Sequence, residues 1–235
     1  MTDQTAPPPP LATVPPPLRL QHKHALATRW FHWINFPLLA LMIGSGLLIY
    51  WANDVYRIGL GPWTLLGFFP EWVYQLLHLD HKLAQGMAWH FAFMWLFTLN
   101  GIAYVLYTAL SGEWRFLLPT RASWAQAWQV VLHDLGIRKE PLPPAKFNAA
   151  QQITYSAIIV MGALSVLTGL AIYRPIQLKW LTALCGGYEA ARFEHFWLMM
   201  GYCGFFVVHI GQVVKAGWNN FRSMVTGVEV LEDKR

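Results

Sequence analysis

The sequence predicts an all-α membrane protein: a four-helix transmembrane bundle with both termini cytoplasmic. Three observations carry that expectation. Apolar residues make up 55% of the 235-residue chain and charged residues only 12%, about half the charged share of a soluble globular domain. Four windows, about 28–51, 84–110, 152–173 and 193–214, are long and apolar enough to cross a hydrocarbon core. Of the 17 Lys and Arg, only Arg57, Lys82, Arg174, Lys179 and Arg192 fall in the two loops that face outward when the N-terminus is inside, as the positive-inside rule requires. Thirteen Trp suit a chain with two membrane interfaces. No basic patch with interleaved aromatics of a nucleic-acid kind occurs.

Taken in order, residues 1–21 read as a proline-rich cytoplasmic tail (APPPP, then VPPPL), disordered or polyproline-like. It lacks the basic and apolar regions of a signal peptide, so the first span acts as an uncleaved anchor. Residues 22–220 form the membrane domain and 221–235 a cytoplasmic C-terminal tail. The first span opens with Arg29-Trp-Phe-His32, and deeper in it Gly44-Ser45-Gly46 removes side-chain bulk, for close helix packing or for a flat macrocycle. The outer loop 52–83 contains WTLLGFFPEWVYQLLHL, broken by Pro70 and Glu71, too short to cross and suited to the outer interface. His78 and His81 near its end read as exposed.

The second span holds His90 near its outer end. His81, nine residues earlier, would face the opposite side of a continuous helix. In the loop 111–150, Trp124, Ala127, Trp128, Val131, Leu132 and Leu135 recur at helical spacing, which predicts an amphipathic helix on the inner leaflet, capped by Ser123 and ended by Gly136. EPLPPAK follows as a stiff linker. The third span has no histidine and supplies packing, with Gly162 and Gly169 as small contact points. Cys185 in an outer loop and Cys203 in mid-span are too far apart for a disulfide, and there is no C-x-x-C-H.

Four histidines therefore stand inside spans, where polar groups are costly and point to function. His195 and His209 lie fourteen residues apart on the last span, which is about 21 Å along the axis and about 40° short of four full turns. Both rings leave nearly one face, one near each membrane surface. Depth then sorts the four into pairs: His32 with His209 near the inner face, His90 with His195 near the outer. Two bis-histidine sites match the needs of two b-type haems, since neutral imidazole ligates iron and a filled axial pair favours electron transfer. Arg29 and Arg192 each precede a histidine by three, one turn nearer water, where haem propionates would meet a guanidinium. A proton or metal-ion pathway, haem-free, is the competing reading of the same histidines.

RWFHW, WHF with LNGIAYVLY, and GGYEAARFEHF with VVHI resemble the four-helix di-haem cytochrome b subunits of membrane-bound nickel–iron hydrogenases, formate dehydrogenases and thiosulfate reductases. The resemblance covers about residues 22–220. It implies that the last helix gives one ligand to each haem, His195 with His90 and His209 with His32. It further implies a bacterial inner-membrane subunit of a respiratory chain that relays electrons between a periplasmic hydrogenase, formate dehydrogenase or molybdenum enzyme and the quinone pool. Tyr188, Glu189 and the 52–83 loop would meet that partner, and Asn35, Gln212 and His24 could hydrogen-bond a quinone carbonyl or equally satisfy helix ends and headgroups. Gly201, Gly204 and Gly211 would equally permit a homodimer or haem packing. Two further alternatives stay open: an autonomous haem b enzyme acting on superoxide or a quinol, and a purely structural anchor.

Overall fold

The structure is a computed structural model that describes residues 18–53, 56–140 and 146–232. Of the expected proline-rich tail, residues 1–17 lie outside the described residues, as do 141–145 of the linker and 233–235 of the C-terminal tail. Among the described residues four helices are long and apolar enough to span a membrane: Leu26–Asn53, Leu83–Ser111, Ala149–Tyr173 and Tyr188–Thr226. Each contains one of the four predicted windows. The elements in order are β1 (Leu18–His22), α1 (Leu26–Tyr50), β2 (Arg57–Leu60), β3 (Trp63–Gly67), α2 (Glu71–Leu76), α3 (Leu83–Ser111), α4 (Trp114–Leu117), α5 (Arg121–Asp134), α6 (Ala149–Tyr173), α7 (Lys179–Leu184), α8 (Tyr188–Thr226) and β4 (Val228–Glu232). The chain divides into a larger unit, Trp30–His209, and a smaller one formed by the residues up to Arg29 and from Ile210 onward.

In the larger unit the long helices close a ring through small and aromatic residues. A Cβ at Gly86 of α3 would lie 2.6 Å from Leu48 Cβ and 3.1 Å from the Ser45 carbonyl of α1, so only glycine permits that approach. The rings of Phe91 and Tyr173 join α3 to α6 at 4.7 Å. Met161 of α6 fills the space beside Gly201 of α8, and Tyr202 Oη donates to the Ile158 carbonyl at 3.3 Å. Tyr50 of α1 stacks on Phe196 of α8 at 4.8 Å. Large side chains such as Leu99 and Val207 point outward, as they must where the surroundings are acyl chains rather than water.

Between α1 and α3, residues 56–82 form regular elements rather than an apolar stretch without structure. β2 and β3 form an antiparallel hairpin turned at Gly61, whose φ of +58° suits glycine. Tyr56 and Phe68 then pack on Phe196 at 4.8 and 5.6 Å, and Tyr74 of α2 is fully buried. At the other end of the bundle α5 has the expected amphipathic character, with one correction at its start. Ser123 is the third helical residue, its hydroxyl accepting from the Thr120 N–H at 2.9 Å, so Thr120 is the cap. Gly136, at φ +74°, ends it. Asn148 and Gln151 form a reciprocal capping box at the start of α6, at 2.9 and 3.0 Å.

The smaller unit departs from the expectation of two tails. Residues 18–22 and 228–232 pair as an antiparallel ladder, Leu20 opposite Val230. Asn219 borders β4 as a strand would, donating to the Val230 carbonyl at 2.8 Å and accepting from its N–H at 3.2 Å. Lys23 donates to Glu229 at 2.9 Å and to Asn220 at 2.8 Å, and Arg29 Nη1 donates to the Val225 carbonyl at 2.6 Å. α8 reaches this region through a break at Gly217, whose φ of 80° and ψ of 174° are open to glycine and closed to other residues. The alternation in LRLQH and VEVLE is a strand pattern, but its partner lies at the far end of the chain.

Candidate functional site: two histidine pairs in the bundle

The larger unit brings the four span histidines together in two pairs. The rings of His32 and His209 have centres 6.1 Å apart; those of His90 and His195 are 6.2 Å apart. Each histidine is half-buried. The spacing discriminates between chemistries. Two imidazoles in direct hydrogen bond have centres about 5 Å apart, from an N···N contact of about 3 Å. An imidazole nitrogen binds a first-row metal at about 2 Å and its ring centre lies about 1 Å behind, so two rings sharing one metal ion have centres about 6 Å apart. The rings of each pair therefore have the spacing of two imidazoles that would share one metal ion. Among the described residues no three His, Cys, Asp or Glu side chains converge as a bare-metal site.

The surroundings differ between the pairs. His90 Nδ1 lies 3.0 Å from the Ser45 hydroxyl of α1, and His195 Nδ1 lies 2.9 Å from the Thr168 hydroxyl of α6. Phe205, one turn before His209 on α8, stacks on its ring at 5.4 Å, and Trp33 meets His32 edge-on at 5.1 Å. No heavy atom stands within 4 Å of where a Cβ would be at Gly204 or Gly44, whereas Gly46 and Gly169 face the edges of His90 and His195. The third long helix is thus more than packing, because Thr168 reaches a candidate ligand. Ser45 and Thr168 escaped sequence reasoning, although the repeated hydroxyl–glycine pair, Ser45-Gly46 and Thr168-Gly169, was a signal.

The other predicted residues are placed as follows. Arg192 pairs with Glu189 at 3.2 Å. Arg29 belongs to the smaller unit, where its guanidinium meets Val225 and lies against Gly227. Asn35 accepts from Asn100 Nδ2 at 3.1 Å, and Asn100 lines a cleft of about 590 Å³ with Trp33, Pro37 and Leu96; Asn100 was not anticipated. His24 and Gln212 lie in the smaller unit. His81 precedes α3 rather than extending it. Its side chain is 78% exposed, beside Asp80 at 3.1 Å, with its ring on Trp51 at 4.6 Å.

Comparison with known proteins identifies the family. The profile of the prokaryotic cytochrome b561 family matches residues 23–227. A putative protein-methionine-sulfoxide reductase subunit, YedZ1, of Azospira oryzae is 31% identical over 185 residues, covering 77% of this chain and 85% of that protein. No solved structure matches the chain. With four spans and this match over most of its length, the chain belongs to the prokaryotic cytochrome b561 family and is a multi-pass membrane haem b protein of electron transfer.

Proposed function

We propose that this chain is the membrane-anchoring di-haem subunit of an oxidoreductase complex, relaying electrons between a quinone and a partner on the outer face of the bacterial inner membrane. His32 with His209, and His90 with His195, hold one haem b each. The carrying observation is the ring spacing of 6.1 and 6.2 Å, which suits one iron per pair. When bound, each haem takes up and releases one electron at its iron. The protein supplies ligand identity, orientation and a low-dielectric surrounding. Both termini are cytoplasmic on this reading, which puts the His32–His209 pair on the inner side. Arg192, one turn from His195, is the propionate partner of that haem. The name of the Azospira relative, a reductase subunit, supports a reductase as partner; on this reading the partner is periplasmic and a quinol is the electron source. Asn35, joined by Asn100 at the apolar cleft, is the quinone contact.

The test is a reduced-minus-oxidised spectrum of the purified chain with haem extracted and counted. Two non-covalent haem b per chain, both reduced by a quinol analogue in membranes, is the expected result. Folded protein grown with haem available and isolated colourless would overturn it.

Orientation has its own check at Cys185, in the short connection between α7 and α8. Burial and the neighbouring Glu194 raise its thiol pKa, and the thiolate is the reactive form. A membrane-impermeant maleimide added to spheroplasts should label Cys185 slowly at neutral pH and faster as pH rises. Labelling confined to inverted vesicles would reverse the assigned topology.

A further inference from the structure

Two hydroxyls touch the outer histidine pair from different helices, and their own bonding fixes what they offer. A hydroxyl has one proton to donate. Ser45 Oγ lies 2.6 Å from the Leu41 carbonyl one turn back in α1, and Thr168 Oγ1 lies 2.8 Å from the Leu164 carbonyl one turn back in α6. With each proton donated to that carbonyl, the shorter of its two contacts, each hydroxyl oxygen presents a lone pair to the imidazole, at 3.0 Å from His90 Nδ1 and 2.9 Å from His195 Nδ1. Both Nδ1 atoms must then carry the ring proton. That leaves Nε2 of each ring as the unprotonated nitrogen, the one able to bind a metal. The residue after each hydroxyl is glycine. A Cβ at Gly46 would stand 3.6 Å from His90 Cε1, and one at Gly169 would stand 3.3 Å from His195 Cε1. A hydroxyl to hold the ring and a glycine to admit its edge thus occur twice, on α1 and on α6.

We propose that Ser45 and Thr168 are positioning residues that lock His90 and His195 in the Nδ1–H tautomer and lower the reduction potential of the haem they ligate. This rests on the haem reading given above. An Nδ1–H that donates to an acceptor makes Nε2 a more basic ligand. A more basic ligand favours ferric over ferrous iron. Two such acceptors act on one haem, one through each axial ring.

The experiment is a redox titration of the full-length protein, wild type against Ser45→Ala, Thr168→Val and the double variant, with Ser45→Thr and Thr168→Ser as conservative controls. The outer haem is identified as the component that His90→Ala removes. Each lost hydroxyl should shift the ferric-to-ferrous ratio of that component toward ferrous by up to about tenfold at a fixed applied potential, equivalent to about 59 mV upward for a one-electron couple. The inner component should stay in place, and the conservative variants should restore the wild-type value. If a hydroxyl-free variant loads no outer haem, recovery of loading in Ser45→Thr or Thr168→Ser supports the proposal; loss there too overturns it. A haem-loaded double variant with an unmoved outer potential also overturns it while leaving the haem reading intact. Wild-type protein without haem refutes the underlying reading instead.

Discussion

Replacing His195 by alanine should lower the haem content from two per chain to one, and replacing His90 should remove the same haem. The reason is geometric. Each pair holds its rings at a spacing that suits one iron, so deleting either member leaves a lone imidazole. The pairing makes the effects non-additive in a particular way. His90→Ala with His195→Ala should be no worse than either alone, since both remove one site. His90→Ala with His209→Ala should be colourless, since it breaks both. Haem extraction and the reduced-minus-oxidised spectrum read all of this directly. The pattern also tests the pairing itself: if His32→Ala removes the spectral component that His195→Ala removes, the depth assignment is wrong.

Gly86→Ala should lower stability by about 1–3 kcal/mol, the cost of overpacking a closed contact. The added methyl would lie 2.6 Å from Leu48 Cβ, 3.1 Å from the Ser45 carbonyl and 3.2 Å from the Ile49 nitrogen. Two of those atoms are backbone, so relief requires α1 and α3 to separate rather than a rotamer to change. For a chain of this size each kcal/mol is worth about 2–4 °C in Tm, so detergent melting should show a drop of about 2–12 °C. Because Gly86 lies one turn before His90 and presses on the residue that bonds its ring, the outer haem should be lost first. Gly44→Ala and Gly101→Ala are the controls, for nothing stands within 4 Å of their added Cβ atoms. Equal destabilisation by the controls would show that the cost is not this contact.

The four spans were legible because hydropathy is a local property summed over a window, and length alone selects helices that can cross a membrane. The co-location of His195 with His90 and of His209 with His32 was legible too, since a helix that starts on one side carries depth in its residue number. Side-chain bonds across helices were not. Ser45 and His90 are 45 residues apart and Thr168 and His195 are 27 apart, and the donor that a hydroxyl finds is decided by packing. The glycines around Ser45 could be read as missing bulk; the hydroxyl between them could not be read as a bonding partner. Asn100 was hidden for the same reason, as half of a cross-helix amide pair. The strands were missed for a different one. A five-residue alternation is weak alone, and it becomes a strand only when a partner supplies the other half of the ladder.

That ladder bears on biogenesis. Lys23 and Glu229 are separated by 206 residues along the chain, so the first described strand to leave the ribosome pairs with the last. At a synthesis rate of about 5–20 residues per second, β1 exists for about 10–40 s before β4 has been made. During that interval β1 lacks the partner strand that β4 supplies. Closure of the ladder requires that β4 has been made and that the start of α1 and the end of α8 have come to the same side.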